Sequence, residues 1–335
     1  MKQLLNKLFE YKTLSREEAK NTLIKLAKGE YNNSQMSAFL TVFLMRMVTV
    51  EELSGFRDAM LELCVKVDLS DYDVMDIVGT GGDGKDTFNI STLSSVVVAA
   101  AGQSVAKHGN KSVSSVCGSS NVLDHLGYQF TNDHDLLRKS LDETNICFLH
   151  APLFHPAMKN VAPVRGELGV KTFFNMLGPL VNPAFPKKQF LGVFNLEVAR
   201  LYTYLQQQTE NNFSIVYALD GYDEISLTGD FKVISNEGEK VYSPEDLGLP
   251  IVDAKALHGG NTVEEAAQIF MDILKGNGNE AQNAAIFANA GMALSSGKGI
   301  TPKEGVEEAR EALLSGKALQ TFNTLVELSK STTIL

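Results

Sequence analysis

The order in which predicted strands and helices follow one another from residue 73 onward constrains this 335-residue chain more than any other feature. Six short apolar or β-branched runs predict strands: VMDIV (74–78), SVA (104–106), ICFLH (146–150), FLGVF (190–194), FSIVYAL (213–219) and FKVIS (231–235). Helical patterns alternate with these runs, and two more helices are expected after Thr262 and Thr301. Parallel strands require crossover connections of this kind, so the alternation predicts a mainly parallel sheet with helices on both faces.

Residues 1 to about 66 carry helical signals only. Two capping boxes open predicted helices, at Ser15-x-x-Glu18 and Thr49-x-x-Glu52. We therefore expect an α/β fold with two domains. A small all-helical domain covers residues 1–70, with part of 166–185 packed against it, and a larger α/β domain with a mainly parallel central sheet flanked by helices covers 71–335.

The helix between those two is predicted to begin at a Ser34 cap and to run through Met47. Its apolar positions recur at spacings of three and four residues: Met36, Phe39, Leu40, Phe43, Leu44 and Met47. Such a face fits either an ordinary core or a contact with a second subunit, and both interpretations remain open at this point.

The net charge weighs against two classes of partner. With 30 Lys and Arg against 40 Asp and Glu, the chain carries −10 at pH 7. Surfaces that bind nucleic-acid phosphates or anionic lipid need the opposite sign, so neither nucleic acid nor a membrane is expected. No signal-peptide core and no run of ~18 apolar residues occurs. The well-separated Cys64, Cys117 and Cys147 favour a reducing, cytoplasmic setting over a disulfide framework or zinc site.

A glycine-rich loop, GTGGDGKDTFNIST at 79–92, follows the first predicted strand and opens a helix. Four glycines in six residues allow positive φ and leave backbone N–H groups free to face a ligand. Asn89, Ser91 and Thr92 add donors at the positive end of the helix dipole. The loop therefore predicts an anion site of the kind that binds phosphate.

Two better-known phosphate motifs fit this loop poorly. A dinucleotide fingerprint through Gly79, Gly81 and Gly84 fails because the third glycine lies well before the helix, and the next strand ends in Lys-His where an acid is needed. A nucleotide P-loop ending at Lys85 fails because Asp86 occupies the position of the magnesium-binding hydroxyl.

A second donor-rich segment, KHGNKSVSS at 107–115, follows the next strand, and Ser119 begins another helix. Carboxyl ends of parallel strands meet at one edge of a sheet, so Lys107 and Asn110 are expected beside the glycine loop. His108 is predicted to face this site, although a lone histidine is more often structural.

Two further segments are candidates for charged-group recognition. Asp223 and Glu224 follow an apolar strand, and paired carboxylates beside phosphate-type loops predict Mg²⁺ rather than a solvated turn. Arg165, in the segment 155–165, could bind a carboxylate through two parallel hydrogen bonds. The alternative is that it is an ordinary surface arginine.

These motifs together resemble those of the anthranilate phosphoribosyltransferase family. GTGGDGKDTFNIST, KHGNKSVSS with CGSSNVLDHLG, APLFHPAMKNVAPVR, FNMLGPLVNPA and DGYDEISLTG occur in the family's order and approximate spacing over essentially the whole chain. Gly166 departs from the pattern, since the family more often has a basic residue there.

The resemblance implies transfer of a phosphoribosyl group from 5-phosphoribosyl 1-pyrophosphate to anthranilate on the path to tryptophan. It implies a nucleoside-phosphorylase-like fold, a Mg²⁺ requirement and a homodimer joined through the helical domain. The positions that would hold phosphoribosyl pyrophosphate are Gly79, Gly82, Asp83, Thr87, Asn89, Ile90, Ser91, Thr92, Lys107, Ser115 and Ser119. Those for anthranilate are Gly79, Asn110, Arg165 and His108, and those for the metal are Ser91, Asp223 and Glu224. No residue is assigned as a catalytic acid or base.

Two other functions remain as alternatives. A pyrimidine-nucleoside phosphorylase shares the fold but would lack the Asp223–Glu224 pair and the GTGGD loop. A non-catalytic paralogue that binds nucleic acid would show a basic face and eroded substrate motifs, whereas this chain is acidic and its motifs are intact.

Overall fold

The computed structural model describes residues 1–111 and 118–330. The helices, in chain order, are α1 (Lys2–Phe9), α2 (Arg16–Ala27), α3 (Asn33–Met45), α4 (Val50–Leu63), α5 (Ile90–Ala100), α6 (Ser119–His125), α7 (His134–Thr144), α8 (Ala151–Phe154), α9 (Ala162–Leu168), α10 (Leu196–Gln206), α11 (Val263–Leu274), α12 (Glu280–Lys298), α13 (Pro302–Leu314) and α14 (Lys317–Lys330). The strands are β1 (Met75–Gly79), β2 (Val105–Gly109), β3 (Ile146–His150), β4 (Lys188–Gly192), β5 (Asn212–Ala218), β6 (Phe231–Ser235) and β7 (Gly238–Tyr242). Within these residues, no helix combines the length and the apolar character needed to cross a membrane.

The chain divides into two compact units. One consists of Met1–Lys66 with Ala151–Pro183, and the other of Val67–His150 with the chain from Ala184 onward. This division differs from the predicted boundaries, because the whole segment 151–183 joins the helical unit rather than only part of 166–185.

Aromatic packing explains why that segment belongs to the helical unit. The ring of Phe173 stacks on Phe56 of α4, with centroids 4.2 Å apart and planes 17° from parallel. Phe39 and Phe43 of α3 meet Phe173 edge-on, at 6.2 and 5.2 Å. Such pairs contribute about 0.5–1.5 kcal/mol each beyond the burial of their area, so the second segment completes the core of this unit.

The capping boxes at Ser15 and Thr49 are confirmed as the starts of α2 and α4. The predicted cap Ser34 is wrong. Asn32 caps α3, accepting a hydrogen bond from the Gln35 backbone N–H at 3.0 Å, while the Gln35 side chain accepts one from the Asn32 N–H. Asparagine caps as well as serine does, and a glutamine three residues later completes the box, so the helix begins earlier.

The α/β unit is built on a seven-stranded sheet in the order β3-β2-β1-β4-β5-β6-β7. The first five strands in that order run parallel, and β6 and β7 are antiparallel additions at one edge. The predicted α/β class with a mainly parallel sheet is confirmed. Strand β7 was not predicted, because its exposed sequence GEKVY lacks the apolar signal of the buried strands.

Candidate active site

The site lies where the connections of the sheet diverge. From β1 the chain proceeds to β2 on one side, and from β4 it proceeds to β5 on the other, so the loops after β1 and β4 separate. Gly79 and Gly192 are register partners at the carboxyl ends of these two strands. Ligands of open α/β sheets bind in such a crevice.

Asp223 occupies this crevice, and the two strand-end glycines make room for it. A Cβ atom at Gly79 would lie 2.3 Å from Asp223 Oδ2, and one at Gly192 would lie 1.7 Å from the Asp223 carbonyl oxygen. Asp223 Oδ2 also accepts a hydrogen bond from the Gly81 backbone N–H at 2.5 Å. The acidic segment after β5 and the glycine loop after β1 are therefore joined directly.

Three carboxylates converge beside this junction. Asp83, Asp223 and Glu224 each offer an oxygen, and these oxygens all lie within 4.8 Å of one another. Burial, followed by the charge of Asp83, raises the pKa of Asp223, and burial followed by the charge of Asp223 raises the pKa of Glu224. Ionisation of such a cluster is unfavourable without a cation.

The glycine loop adopts the conformation that its sequence predicts. Gly81, Gly82 and Gly84 have φ of +66°, +75° and +76°. Asp86 also has a positive φ, of 50°, which is uncommon for a residue with a side chain. Beyond it, the Thr87 hydroxyl donates a 2.5 Å hydrogen bond to Glu224 Oε1. The loop is thus attached to the acidic pair at both of its ends.

Helix α5 begins directly after the loop, with Asn89 at its N-cap and Ile90 as its first residue. Thr92, in the first turn, is 1% exposed, and its hydroxyl has no hydrogen-bond partner among the described residues. Ile90 is also buried and offers only its backbone to the site. An anion site at this helix start stays a prediction, and the unpartnered Thr92 hydroxyl is one polar group that it would include.

Lys107 is buried beneath the loop. Its Nζ donates to the Ile77 carbonyl at 2.5 Å and to Ser91 Oγ at 3.3 Å. Burial lowers the pKa of Lys107 to about 8, against the opposing effect of the acidic groups Asp76, Asp223 and Glu224. The lysine thus ties the end of β1 to the first turn of α5 and supplies positive charge there. Ser91, a predicted metal ligand, is held by this contact.

His108, which is predicted to face the site, is a buried residue of β2. It is 3% exposed, and its backbone N–H donates to Asp76 Oδ1 at 3.2 Å. Successive strand residues point to opposite faces of a sheet, so His108 and Lys107 cannot both face the loop. Lys107 is equally buried, so the assignment of His108 to anthranilate stays a prediction.

The second donor segment is described up to Lys111 and again from residue 118. Asn110 is exposed just after β2, and its carbonyl accepts a 3.2 Å hydrogen bond from the Ser119 hydroxyl at the start of α6. The two predicted ligand positions therefore contact each other. Ser115 lies outside the described residues.

Arg165 belongs to the helical unit. It lies on α9 with its guanidinium 4.9 Å from the centroid of the Phe174 ring. Burial alone lowers its pKa, with no compensating carboxylate. A half-buried guanidinium in contact with an aromatic ring is more ordered than an ordinary surface arginine.

Three features of the site are not predicted from the sequence. Asp83 joins the acidic cluster, although it was assigned only to the phosphate loop. Gly192 carries no motif signal. Lys85 was considered only within a rejected motif, yet its Nζ lies 4.4 Å from the centroid of the Tyr222 ring and holds the loop from a further side. For Lys85, the only hint in the sequence is that its ring partner Tyr222 directly precedes the candidate metal ligand Asp223.

Comparison with known proteins agrees with this architecture. Residues 71–319 match the model of the glycosyl transferase family a/b domain, and residues 2–64 match the helical bundle domain of the same family. The anthranilate phosphoribosyltransferase of Flavobacterium johnsoniae is 58% identical over 329 residues, which cover 98% of this chain and 100% of the relative. That of Bacteroides fragilis is 53% identical over 333 residues, with 98% and 100% covered.

Two solved structures are similar throughout. The crystal structure of anthranilate phosphoribosyltransferase from Thermus thermophilus has a TM-score of 0.90 and 35% identity, covering 98% of this chain and 99% of that one. The Saccharomyces cerevisiae enzyme in complex with PRPP and Mg has a TM-score of 0.89 and 28% identity, covering 98% and 97%.

A helical bundle domain combined with an α/β domain that carries a glycine loop and an acidic cluster defines a glycosyl transferase of the two-domain type. Within this class, the curated relatives that share more than half of their residues with this chain over nearly its whole length are anthranilate phosphoribosyltransferases. The chain belongs to the anthranilate phosphoribosyltransferase family.

Proposed function

We propose that this protein transfers the phosphoribosyl group of 5-phosphoribosyl 1-pyrophosphate to the amino group of anthranilate. The products are N-(5-phosphoribosyl)-anthranilate and pyrophosphate, in the biosynthesis of L-tryptophan. The observation that carries the proposal is the junction of the glycine loop with three carboxylates at the switch point between β1 and β4. One half of this junction suits phosphate groups and the other a divalent cation, as a pyrophosphate leaving group requires.

Phosphate would be bound by the glycine loop and the start of α5. Positive φ at the loop glycines lets backbone N–H groups that are not bonded to Asp223 face a ligand, and the helix dipole favours an anion at the first turn. Lys107 adds positive charge from below while keeping Ser91 in place. Most of the rate enhancement in such a site comes from positioning and electrostatics.

The acidic residues fit Mg²⁺. Asp83 Oδ2 is buried and has no hydrogen-bond partner among the described residues, and it belongs to a cluster whose remaining oxygens come from Asp223 and Glu224. Hard carboxylate oxygens are the protein ligands that Mg²⁺ prefers. Asp223 and Glu224 would hold the ion, with Ser91 as the third ligand that the family resemblance implies. Bound Mg²⁺ would neutralise negative charge on the pyrophosphate.

No residue is needed as a base before the attack, because the aniline nitrogen is neutral near pH 7 and carries its own lone pair. The proposed anthranilate residues are Gly79, His108, Asn110 and Arg165. A carboxylate ligand would supply the charge partner that the half-buried guanidinium of Arg165 lacks within its own unit.

The test is consumption of anthranilate, followed by its fluorescence. We expect the signal to fall only when phosphoribosyl pyrophosphate and Mg²⁺ are both present. Thymidine phosphorolysis without magnesium would instead support the pyrimidine-nucleoside phosphorylase. A gel shift with DNA that weakens steeply with salt would support the nucleic-acid-binding paralogue.

We also propose a cytoplasmic homodimer joined through the helical unit. Leu44, Met45 and Met47, at the end of α3 and just beyond it, are 44%, 77% and 48% exposed. Apolar side chains grouped in this way favour a partner surface over water. Light scattering should give twice the chain mass, and Met45→Glu should lower it toward that of one chain.

A further inference from the structure

A short segment outside all the recognised motifs lies against the far end of the glycine loop. This strap consists of residues 257–260, Leu-His-Gly-Gly. The Phe88 N–H donates to the Leu257 carbonyl, and the Gly259 N–H donates to the Asp86 carbonyl, both at 2.9 Å. Thr87 and His258 form an isolated antiparallel bridge between these two bonds. The strap therefore adds one short β-pairing to the loop.

Glycine at 259 makes this pairing possible. A Cβ atom there would lie 2.6 Å from the Thr87 carbonyl oxygen and 2.9 Å from Phe88 Cα. Both neighbours are backbone atoms, which cannot turn aside as the end of a side chain can. The loop backbone thus approaches the strap as closely as glycine allows.

The strap then leaves the loop in a fixed direction. Gly260 has a φ of +87°, and its N–H donates to His258 Nδ1 at 3.2 Å. The chain continues from there to the Thr262 cap of α11. The strap is therefore held at one end by the buried Leu257 and at the other by a capped helix.

Thr87 connects the strap to the acidic cluster. Its backbone pairs with the strap, and its hydroxyl donates to Glu224 Oε1. Threonine is stiff at χ1, so the position of its backbone decides where its hydroxyl lies. A displacement of the Thr87 backbone would therefore move or break the hydrogen bond that orients Glu224.

We propose that Gly259 is a positioning residue for the cation site: its close approach sets Thr87, and Thr87 orients the Glu224 carboxylate toward Asp83 and Asp223. The inference rests on the proposed function in one respect only, namely that this cluster binds a divalent cation. Partners that orient a ligand in this way typically change metal affinity by about 10- to 100-fold when they are lost.

The test measures cation binding directly, without turnover. Mn²⁺, which favours the same oxygen ligands as Mg²⁺, is titrated in the presence of pyrophosphate and followed by electron paramagnetic resonance. Gly259→Ala should weaken Mn²⁺ binding by about tenfold. The matched control is Gly229→Ala, where a Cβ would have no neighbour within 4 Å and φ is not positive. Unchanged Mn²⁺ binding in a folded Gly259→Ala protein would overturn the proposal.

A second pair of variants tests the route through Thr87. Thr87→Val removes the hydroxyl and keeps the shape, so it should weaken Mn²⁺ binding about as much as Gly259→Ala, whereas Thr87→Ser should retain most of the affinity. In the Thr87→Val background, Gly259→Ala should add less than about twofold. Fully multiplicative losses would show that Gly259 acts by another route and would reject the mechanism.

A milder variant covers the case in which Gly259→Ala does not fold. His258→Gly removes an exposed side chain and the acceptor for the Gly260 N–H, which loosens the strap without inserting an atom. We expect weaker Mn²⁺ binding and faster hydrogen exchange at the Phe88 amide. Normal values for both would contradict the proposal. A protein that shows these shifts but no transfer to anthranilate would refute the proposed function and leave the positioning role supported.

Discussion

A Cβ atom on Gly192 would lie 1.7 Å from the carbonyl oxygen of Asp223. No side chain can be accommodated at that distance, so the end of β4 must be glycine for Asp223 to reach Gly81. The position of Asp223 therefore depends on Gly192, a residue of another strand that has no side chain.

Gly192→Ala should displace Asp223 and lower turnover by at least about 10²-fold, because the carboxylate would lose its place beside the loop. The measurement is the rate of anthranilate consumption at saturating substrates. Gly229→Ala is the control and should behave as the unaltered protein. Full activity in Gly192→Ala would mean that the position of Asp223 is not needed.

Asp223→Asn combined with Glu224→Gln should weaken the Mg²⁺ dependence and reduce turnover by at least about 10²-fold. The amides keep the shape of the side chains but remove the charge that binds a cation. The activity is measured across a magnesium titration. Asp230→Asn, an exposed change on the same loop, serves as the control. A near-normal titration in the double variant would refute the metal assignment.

Arg165→Ala should raise the KM for anthranilate more than that for phosphoribosyl pyrophosphate, because the guanidinium is the proposed partner of the anthranilate carboxylate. Initial rates are measured with each substrate varied in turn. Arg200→Ala, at an exposed position of α10, should change neither constant. Equal rises in both constants would count against a carboxylate clamp.

Lys85→Met should raise the KM for phosphoribosyl pyrophosphate about two- to fivefold, since an exposed cation–π contact is worth roughly 0.5–1 kcal/mol. Lys85→Arg should retain the contact with the Tyr222 ring and most of the affinity. The effect of Lys85→Met should also disappear in a Tyr222→Leu background. If it persists there at full size, Lys85 acts on the substrate and not through the ring.

His155 should make the stability of the protein depend on pH in the acid range. Burial lowers the pKa of His155 to about 4, although Nε2 donates to the Val181 carbonyl at 3.0 Å. An unfolded histidine has a pKa near ~6.5, so the unfolded chain binds the extra proton between that pH and about 4. The free energy of unfolding should therefore fall as the pH is lowered through this window, by up to about 1.4 kcal/mol per unit from this group.

Urea denaturation at several pH values between 4.5 and 7 measures this dependence. His155→Gln keeps a hydrogen-bond donor for Val181 but cannot titrate, so its stability should decline less steeply toward acid pH. His134→Gln, at an exposed position, should keep the original slope. Identical slopes in all three proteins would exclude His155 as the source.

The fold could be predicted because its strands are buried on both faces and therefore stand out as apolar runs. Strand β7 is exposed at the sheet edge and has no such signal. The positive φ angles of the glycine loop could be predicted because they depend on the local sequence. The association of Asp83 with Asp223 could not, because spacing along the chain does not reveal which loops meet before the strand order is known.

Glycines at close approaches were the hardest residues to assign. Gly192 and Gly259 are needed because backbone atoms of Asp223 and Thr87, respectively, lie too close for a side chain. The sequence around each glycine does not show which residues will lie beside it. Lys107 and His108 are both buried in β2, and their polar sequence does not report that burial. Residue types indicate which groups can bind phosphate or a metal. Whether those side chains are exposed or buried depends on tertiary packing.

The division of the helical unit into Met1–Lys66 and Ala151–Pro183 has a consequence for the protein during its synthesis. Helices α1 to α4 are synthesised before Phe173. The ring of Phe56 therefore lacks its stacking partner while residues 67–183 are made. At 5–20 residues per second this interval is on the order of 10 seconds. The nascent chain therefore exposes part of this aromatic surface until the downstream segment Ala151–Pro183 has been synthesised.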